Sequence, residues 1–286
     1  MKKSFLAVAL ILGSATTFAQ EKQYLPESGD WAIGIDATPF LNYLGNFIGG
    51  NGTNTAPTWN FLTTNQTITG KYFASDDMAY RGSLRIGFGS NTERGMVGQT
   101  GAAAPTYPAL GTMVEDTYKS SFNNIGLAGG IEMRKGSGRL IGFYGAELGI
   151  ALGGSKEAYT YGNAIVAADG TIPATTDFSN NLVLDTYGND ARINESKGGS
   201  MFGIGVRGFI GAEYFVLPKL SLGGEFGWGF GLMSAGAGSA TMESTDGTTV
   251  GTQTLEGTKA SAFGLDTDFN NSVFGSAGSL RMTFHF

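Results

Sequence analysis

Along much of the chain, apolar and polar positions alternate with a period of two, the spacing of a strand whose faces meet different surroundings. The clearest such run is 219–235. Leu220, Leu222, Phe226, Trp228, Phe230 and Leu232 share one face with Gly224, and Lys219, Ser221, Gly223, Glu225, Gly227, Gly229 and Gly231 share the other. Before it, 199–217 sets Phe202, Ile204, Val206, Ile210, Tyr214 and Val216 against Gly203, Gly205, Arg207, Phe209, Gly211 and Glu213. Leu217-Pro218-Lys219 between them is a tight connection, so the two runs form a hairpin. Segments 117–134 and 139–153 repeat the form through Lys135-Gly136-Ser137-Gly138. Their apolar sets are Ile125, Leu127, Ile131 and Met133, then Leu140, Tyr144, Leu148, Ile150 and Leu152, with Glu132, Arg134 and Glu147 opposite. A third hairpin joins 67–74 to 78–91 through Ser75-Asp76-Asp77, with Tyr80, Leu84, Ile86 and Phe88 facing away from Arg81 and Arg85. A first strand over 30–38 (Trp31, Ile33 and Ile35 against Asp36) and a last over 271–286 bring the number to eight.

Three tight turns then alternate with four long segments, 39–66, 92–116, 154–198 and 236–270. A hairpin separates each long segment from the next, so all four fall at one end of the strands. Loops above about 15 residues are uncommon in compact soluble domains. Short turns at one end and long loops at the other, on an even number of strands, predict an all-β fold: an eight-stranded antiparallel transmembrane up-and-down β-barrel with three short periplasmic turns and four long extracellular loops. Ten strands result if 154–198 holds a hairpin around 165–168 and 182–184. A soluble lipocalin-like barrel would need a polar outer face, whereas Phe226, Trp228 and Phe230 share theirs with Leu220 and Leu222.

The amino terminus adds an address. Lys2 and Lys3 precede the apolar run from Phe5 to Leu12 and the small-residue end Thr17-Phe18-Ala19. This predicts a secretory signal over 1–19, cleaved after Ala19, and one domain over 20–286. The apolar run is too short for a transmembrane helix, and no later stretch approaches 18 apolar residues. Without cysteine there is no lipid-anchor thiol, disulfide framework or thiolate metal site. Only 15% of residues are charged, yet the mean hydropathy is close to zero; one face toward lipid and one toward a polar interior produce that balance. The 47 glycines accompany only seven prolines and alternate with aliphatic and aromatic residues inside the strands, unlike a linker. The net charge of −6 argues against nucleic acid or an anionic surface as a general partner.

The hairpin from Phe202 to Trp228 (FGIGVRGFIGAEYFVLPKLSLGGEFGW) and the closing Leu280-Arg281-Met282-Thr283-Phe284-His285-Phe286 resemble the small outer-membrane β-barrel proteins of Gram-negative bacteria, the porin-like outer membrane protein β-barrel domain family. The resemblance covers the strands and not the loops. It implies a multi-pass barrel in the cell outer membrane, among outer-membrane lipid and lipopolysaccharide. It also implies that the aromatic terminus is read by the barrel-assembly machinery, with Leu280, Met282, Phe284 and Phe286 as the signal.

If the apolar faces meet lipid, the lumen receives Asp36, Lys71, Arg81, Arg85, Glu132, Arg134, Glu147, Arg207, Glu213, Glu225 and Arg281, six cations and five anions. Eight strands enclose little more than their own side chains. Charges there must be paired and hydrogen-bonded, so the expected interior is a plug of ion pairs. A lumen of one sign would have suited a porin-like channel for small solutes, the alternative reading. A surface lipid- or peptide-hydrolysing enzyme is a third. It has little support, because His285 is the one histidine, beside the periplasmic rim with Thr283 on its face and no Ser-His-Asp/Glu arrangement legible. No cofactor or metal is expected. Gly203-Ile204-Gly205-Val206-Arg207-Gly208 matches a dinucleotide fingerprint but lies inside a strand with no helix following. Asp266-Thr267-Asp268-Phe269-Asn270 opens like a calcium loop, but Asn271 and Ala277 occupy the positions that need Gly and Glu. Tyr118 and Tyr144 are read as membrane-belt residues. Trp59, Phe61, Tyr107, Tyr159, Tyr161 and Tyr187 belong to the loops, where they serve as belt or packing residues or offer stacking sites for glycans and envelope proteins. The expected function is therefore non-enzymatic, structural or partner-binding through the loops.

Overall fold

A computed structural model describes residues 24–37, 46, 48–50, 68–266 and 278–286. The expected signal segment, Trp59, Phe61 and the 271–277 part of the expected last strand lie outside the described residues, as does the calcium-like motif beyond Asp266. Thirteen strands form among the described residues: β1 Trp31–Asp36, β2 Ile68–Ser75, β3 Met78–Gly98, β4 Met113–Ser137, β5 Leu140–Thr160, β6 Leu182–Leu184, β7 Asp190–Lys197, β8 Met201–Leu217, β9 Leu220–Ala235, β10 Ser239–Thr245, β11 Val250–Glu256, β12 Ala260–Asp266 and β13 Gly278–His285. All belong to one antiparallel sheet. Eight of them close a ring in which β1, β2, β3, β4, β5, β8, β9 and β13 follow one another and β13 returns to β1.

The fold is all-β, as the alternation predicts, but the strand count is thirteen, and segments expected as loops carry the difference. β3 and β4 stay paired as far as Gly98↔Met113, deep into 92–116. The 154–198 segment holds the end of β5, a 3₁₀ turn at Ala167–Asp169, β6 and β7. Its hairpin joins β6 to β7, not to 165–168 as the ten-strand alternative required. The 236–270 segment holds β10, β11 and β12.

Much of the extra strand is continuation of the ring. The β8–β9 register at Met201↔Ala235 runs on without a slip into Lys197↔Ser239 between β7 and β10. Likewise Ala235↔Ala260 between β9 and β12 leads to Ser239↔Glu256 between β10 and β11. Hydrogen bonds from Gly198 N to Ser155 O (2.9 Å), Gly236 N to Ser200 O (2.9 Å) and Gly257 N to Gly238 O (2.8 Å) cross the breaks. The walls pinch there: a β-carbon on Gly199 would collide with the Gly236 carbonyl. One interruption is different. Asp266 pairs with Gly229 and Gly278 with Phe226, so along β9 the described pairing breaks only at Gly227 and Trp228.

The side-chain period turns the ring inside out relative to a soluble protein. Outward positions carry half-exposed Trp31, Leu84, Leu127, Ile150, Ile204 and Leu232, while Lys71, Arg81, Glu132, Arg134, Glu147, Arg207, Glu213 and Glu225 are buried inside. Inward glycines make the room. A β-carbon on Gly145 would lie 2.7 Å from the Phe209 ring, and one on Gly227 would strike the Arg207 guanidinium.

Candidate functional site

Seven of the eight ring strands deliver charge into the lattice: Lys71 from β2, Arg81 from β3, Glu132 and Arg134 from β4, Glu147 from β5, Arg207 and Glu213 from β8, Glu225 from β9 and Arg281 from β13. Lys71 Nζ lies 2.7 Å from Glu132 Oε1 and 3.9 Å from Glu213. Arg134 donates to Glu132 Oε1 at 2.9 Å and also bonds Glu213. Arg81 grips Glu225 with both terminal nitrogens, at 2.6 and 3.0 Å, the fork geometry that suits Arg to carboxylates. Its Nε and Nη1 also approach Glu147 (3.3 Å) and Glu132 (3.8 Å) without hydrogen-bond alignment. Arg207 Nη1 joins Glu147 (2.9 Å) to Glu225 (2.6 Å), and Arg281 completes the group 3.7 Å from Glu225 while donating to Thr69 Oγ1 at 2.5 Å.

Nine of the eleven charges read from the sequence thus meet in one lattice. Asp36 stands at the upper end of β1, opposite Arg281 in the strand register. Arg85 is half-buried and, among the described residues, has no carboxylate partner. The sequence reading missed the inward aromatic rings, although the parity of Phe73, Phe143 and Phe215 would have found them. Arg81 stacks on Phe209 (4.2 Å), Lys71 on Phe143 (4.9 Å) and Arg134 on Phe73 (4.9 Å), so cation–π contacts fill space between the ion pairs.

His285 stands beside the β8–β9 turn, its N–H bonded to Lys219 O (2.8 Å), and its ring is buried with those of Phe73 and Phe215 at 5.6 and 5.0 Å. The Ser221 hydroxyl donates to Glu213 (3.2 Å) and lies 3.1 Å from His285 Nε2. These are the three residue types of a hydrolytic relay in the wrong order. Serine is central, and among the described residues no carboxylate or other hydrogen-bond partner orients His285 Nδ1.

The segment 24–30 straps the tight-turn end. Arg139, at the β4–β5 turn, bonds the Tyr24 hydroxyl and stacks on its ring at 4.0 Å. At the β2–β3 turn, Ser28 Oγ donates to Ala74 O (3.1 Å) and Ser28 N to Asp76 (3.2 Å). Lys219, at the β8–β9 turn, bonds Asp30 and holds its carboxyl below the usual range. A cleft of about 460 Å³ remains beside the strap, lined by Pro26, Asp76, Asp77, Arg134 and Lys135.

Beyond the opposite end of the ring, the prolonged β3–β5 sheet has a second buried polar cluster. Asp116 accepts from the backbone N–H of Gly162 (2.8 Å) and Thr176 (2.7 Å). Asn163 ties Thr100 N, Gly98 O and Ala174 O, and Arg192 reaches Asn163 O (2.7 Å) and Glu243 (2.7 Å). Tyr118, expected in a membrane belt, instead stacks on Tyr159 (4.9 Å) and Phe178 (5.7 Å) and donates to Glu157 (3.0 Å). Tyr161 packs parallel to Tyr159 at 6.4 Å; burial pushes its phenol up to about 12 against the pull of Asn181 and Arg192. Tyr107 and Tyr187 are exposed, and Tyr144 lies on the outer face.

Among the described residues no carboxylate, histidine or cysteine cluster could hold a metal ion, and no helix is long and apolar enough to cross a membrane. No family model matches the chain and no curated protein is similar enough to count as a relative, so its function is read from its own geometry.

Proposed function

We propose that the chain is a non-enzymatic outer-membrane β-barrel, its lumen filled by the charge lattice, acting as a structural or partner-binding protein through the polar sheet above the membrane. One observation carries the reading: the eight-membered ring buries its charges and exposes its large hydrophobics. In water that arrangement loses the hydrophobic driving force; in a bilayer it is the favourable one. The outward apolar positions of β5 run from Leu140 to Leu152. At about 3.3 Å per residue and a tilt of about 40°, they cover about 30 Å, the thickness of a hydrocarbon core. Trp31, Tyr72, Tyr80, Tyr144, Tyr214 and Phe286 lie outward near the tight turns, where an aromatic girdle would anchor the periplasmic rim. In this orientation Phe286 presents the assembly signal at that rim.

A plugged lumen is supported by the near balance of the lattice, the phenylalanines among its charges and the strap across the turns. The test has two parts. The refolded protein should migrate differently on SDS gels with and without boiling; one position for both samples overturns the barrel. In planar bilayers it should give no stable stepwise current; sustained steps overturn the plug in favour of a channel for small solutes.

A further inference from the structure

The outward face of β3, β4, β5 and β7 changes character just above the apolar band. Ile86, Ile125 and Leu152 form the last fully apolar row across these strands. Two rows above it, Ser90, Ser121, Lys156 and Lys197 stand side by side, and in the next row Lys119 is followed at two strands' distance by Glu195. The β3–β4 and β4–β5 registers are unbroken throughout, so these residues share the face of the apolar band.

Lys156 and Lys197 are direct cross-strand partners, an arrangement of like charges that destabilises a sheet unless an anion lies between them. Glu195 supplies one, 2.5 Å from Lys156 and bonded to Lys197 as well. Three ammonium groups face Glu195 and Glu256, the latter continuing the Lys156–Lys197 row two strands beyond Lys197, which leaves a local excess of one positive charge on a chain whose total is −6. All three lysines are exposed. A cleft of about 650 Å³ opens here, lined by Phe88, Ser90, Ser121, Asn123, Lys156 and Lys197.

We propose that this cleft binds the phosphorylated headgroup of an outer-leaflet lipid. The inference rests on the barrel reading, which sets the Ile86–Ile125–Leu152 row at acyl-chain level and the lysines at headgroup level. Lysine is a strong point-charge partner for phosphate, and Ser90, Ser121 and Asn123 supply neutral donors around it. The apolar row two rows below distinguishes a lipid from a free anion, because only a lipid gains from both surfaces at once. Basic clusters beside a membrane gain about fivefold in anionic-lipid binding per lysine.

The experiment uses the refolded full chain in phosphatidylcholine vesicles, alone or with phosphorylated lipid A, dephosphorylated lipid A or inorganic phosphate. The readouts are lipid binding and the temperature at which the folded gel band is lost. Phosphorylated lipid A should bind and raise that temperature, K156Q/K197Q should weaken binding about 25-fold and K119Q about fivefold, and the folded band of each variant in phosphatidylcholine should persist. Equal binding of the dephosphorylated lipid, equal stabilisation by inorganic phosphate, or unchanged binding by K156Q/K197Q overturns the site and leaves the barrel standing. Loss of the folded band in every vesicle, wild type included, overturns the barrel and the site together.

Discussion

Polar groups are buried both inside the ring and in the sheet above it, by opposite means. In the ring the backbone is already satisfied by the strand ladders, so side chains answer only one another: Lys71 and four arginines converge on four glutamates. In the upper sheet the segments around β6 leave the ladders, and side chains answer the backbone instead. Asp116 caps Gly162 and Thr176, and Asn163 and Asn181 bridge carbonyls and N–H groups. One region spends buried polarity to fill a space, the other to staple irregular chain.

The largest effect that would test this difference comes from Glu225, which faces Arg81, Arg207 and Arg281. Glu225→Ala leaves three guanidinium groups short of counter-charge and should cost about 3–5 kcal/mol, read from the urea midpoint of the refolded protein. A loss below about 1 kcal/mol would mean that water screens the interior, and would favour a conducting lumen. Asp116→Ala should cost about 1–3 kcal/mol for its two stranded N–H groups, confined to the upper sheet. Amide exchange at Gly162 and Thr176 should rise while the boiling-dependent gel shift stays, and loss of the shift would join the two regions into one unit.

The third effect depends on pH. Burial pushes the Asp185 carboxyl up, but hydrogen bonds from Asn189, Ser244 and Tyr187 outweigh it and hold it down to about 2. Its folded value lies below the unfolded value of about 3.9, so its stabilisation is complete above about pH 4 and fades as pH falls through about 2. Exchange protection at Tyr187 and Asn189 should follow that window, and Asp185→Asn should abolish the dependence. The smallest effect belongs to Arg85. Outside the lattice, Arg85→Gln should move the urea midpoint by no more than about 0.5 kcal/mol, and a loss comparable to that of Glu225→Ala would make it a member after all.

The same difference explains what the sequence made legible. Ring strands announced themselves because only one of their faces is apolar, and that parity also sorted nine lattice charges inward. It could not pair them: Arg81 and Glu225 are 144 residues apart, and their meeting depends on stagger between strands that alternation leaves open. Once β3, β4 and β5 rise past the apolar band, both faces are polar, so Thr92–Gly98 and β7 with its Asp-Ala-Arg-Ile-Asn-Glu-Ser-Lys read as loop. Tyr118 was misplaced for another reason: in the 25-residue β4 it shares the parity of the inward Glu132 and Arg134, so alternation applied along the whole strand turns it away from a membrane belt.

The ring's closure has a consequence in time. β1 pairs on one side with β2 and on the other with β13, where Ala32 meets His285 and Trp31 and Phe286 exchange both backbone hydrogen bonds. Every other joint in the ring links strands closer in sequence. Bringing these two ends together carries the largest loop-closure entropy in the molecule, and pairings so remote slow folding. The seam between the first and last strands should therefore form late, leaving an open sheet with two free edges as the species that persists before it. A disulfide engineered between Gly34 and Thr283, which face each other across that seam, would trap the completed ring, and the delay before it can form would time the closure.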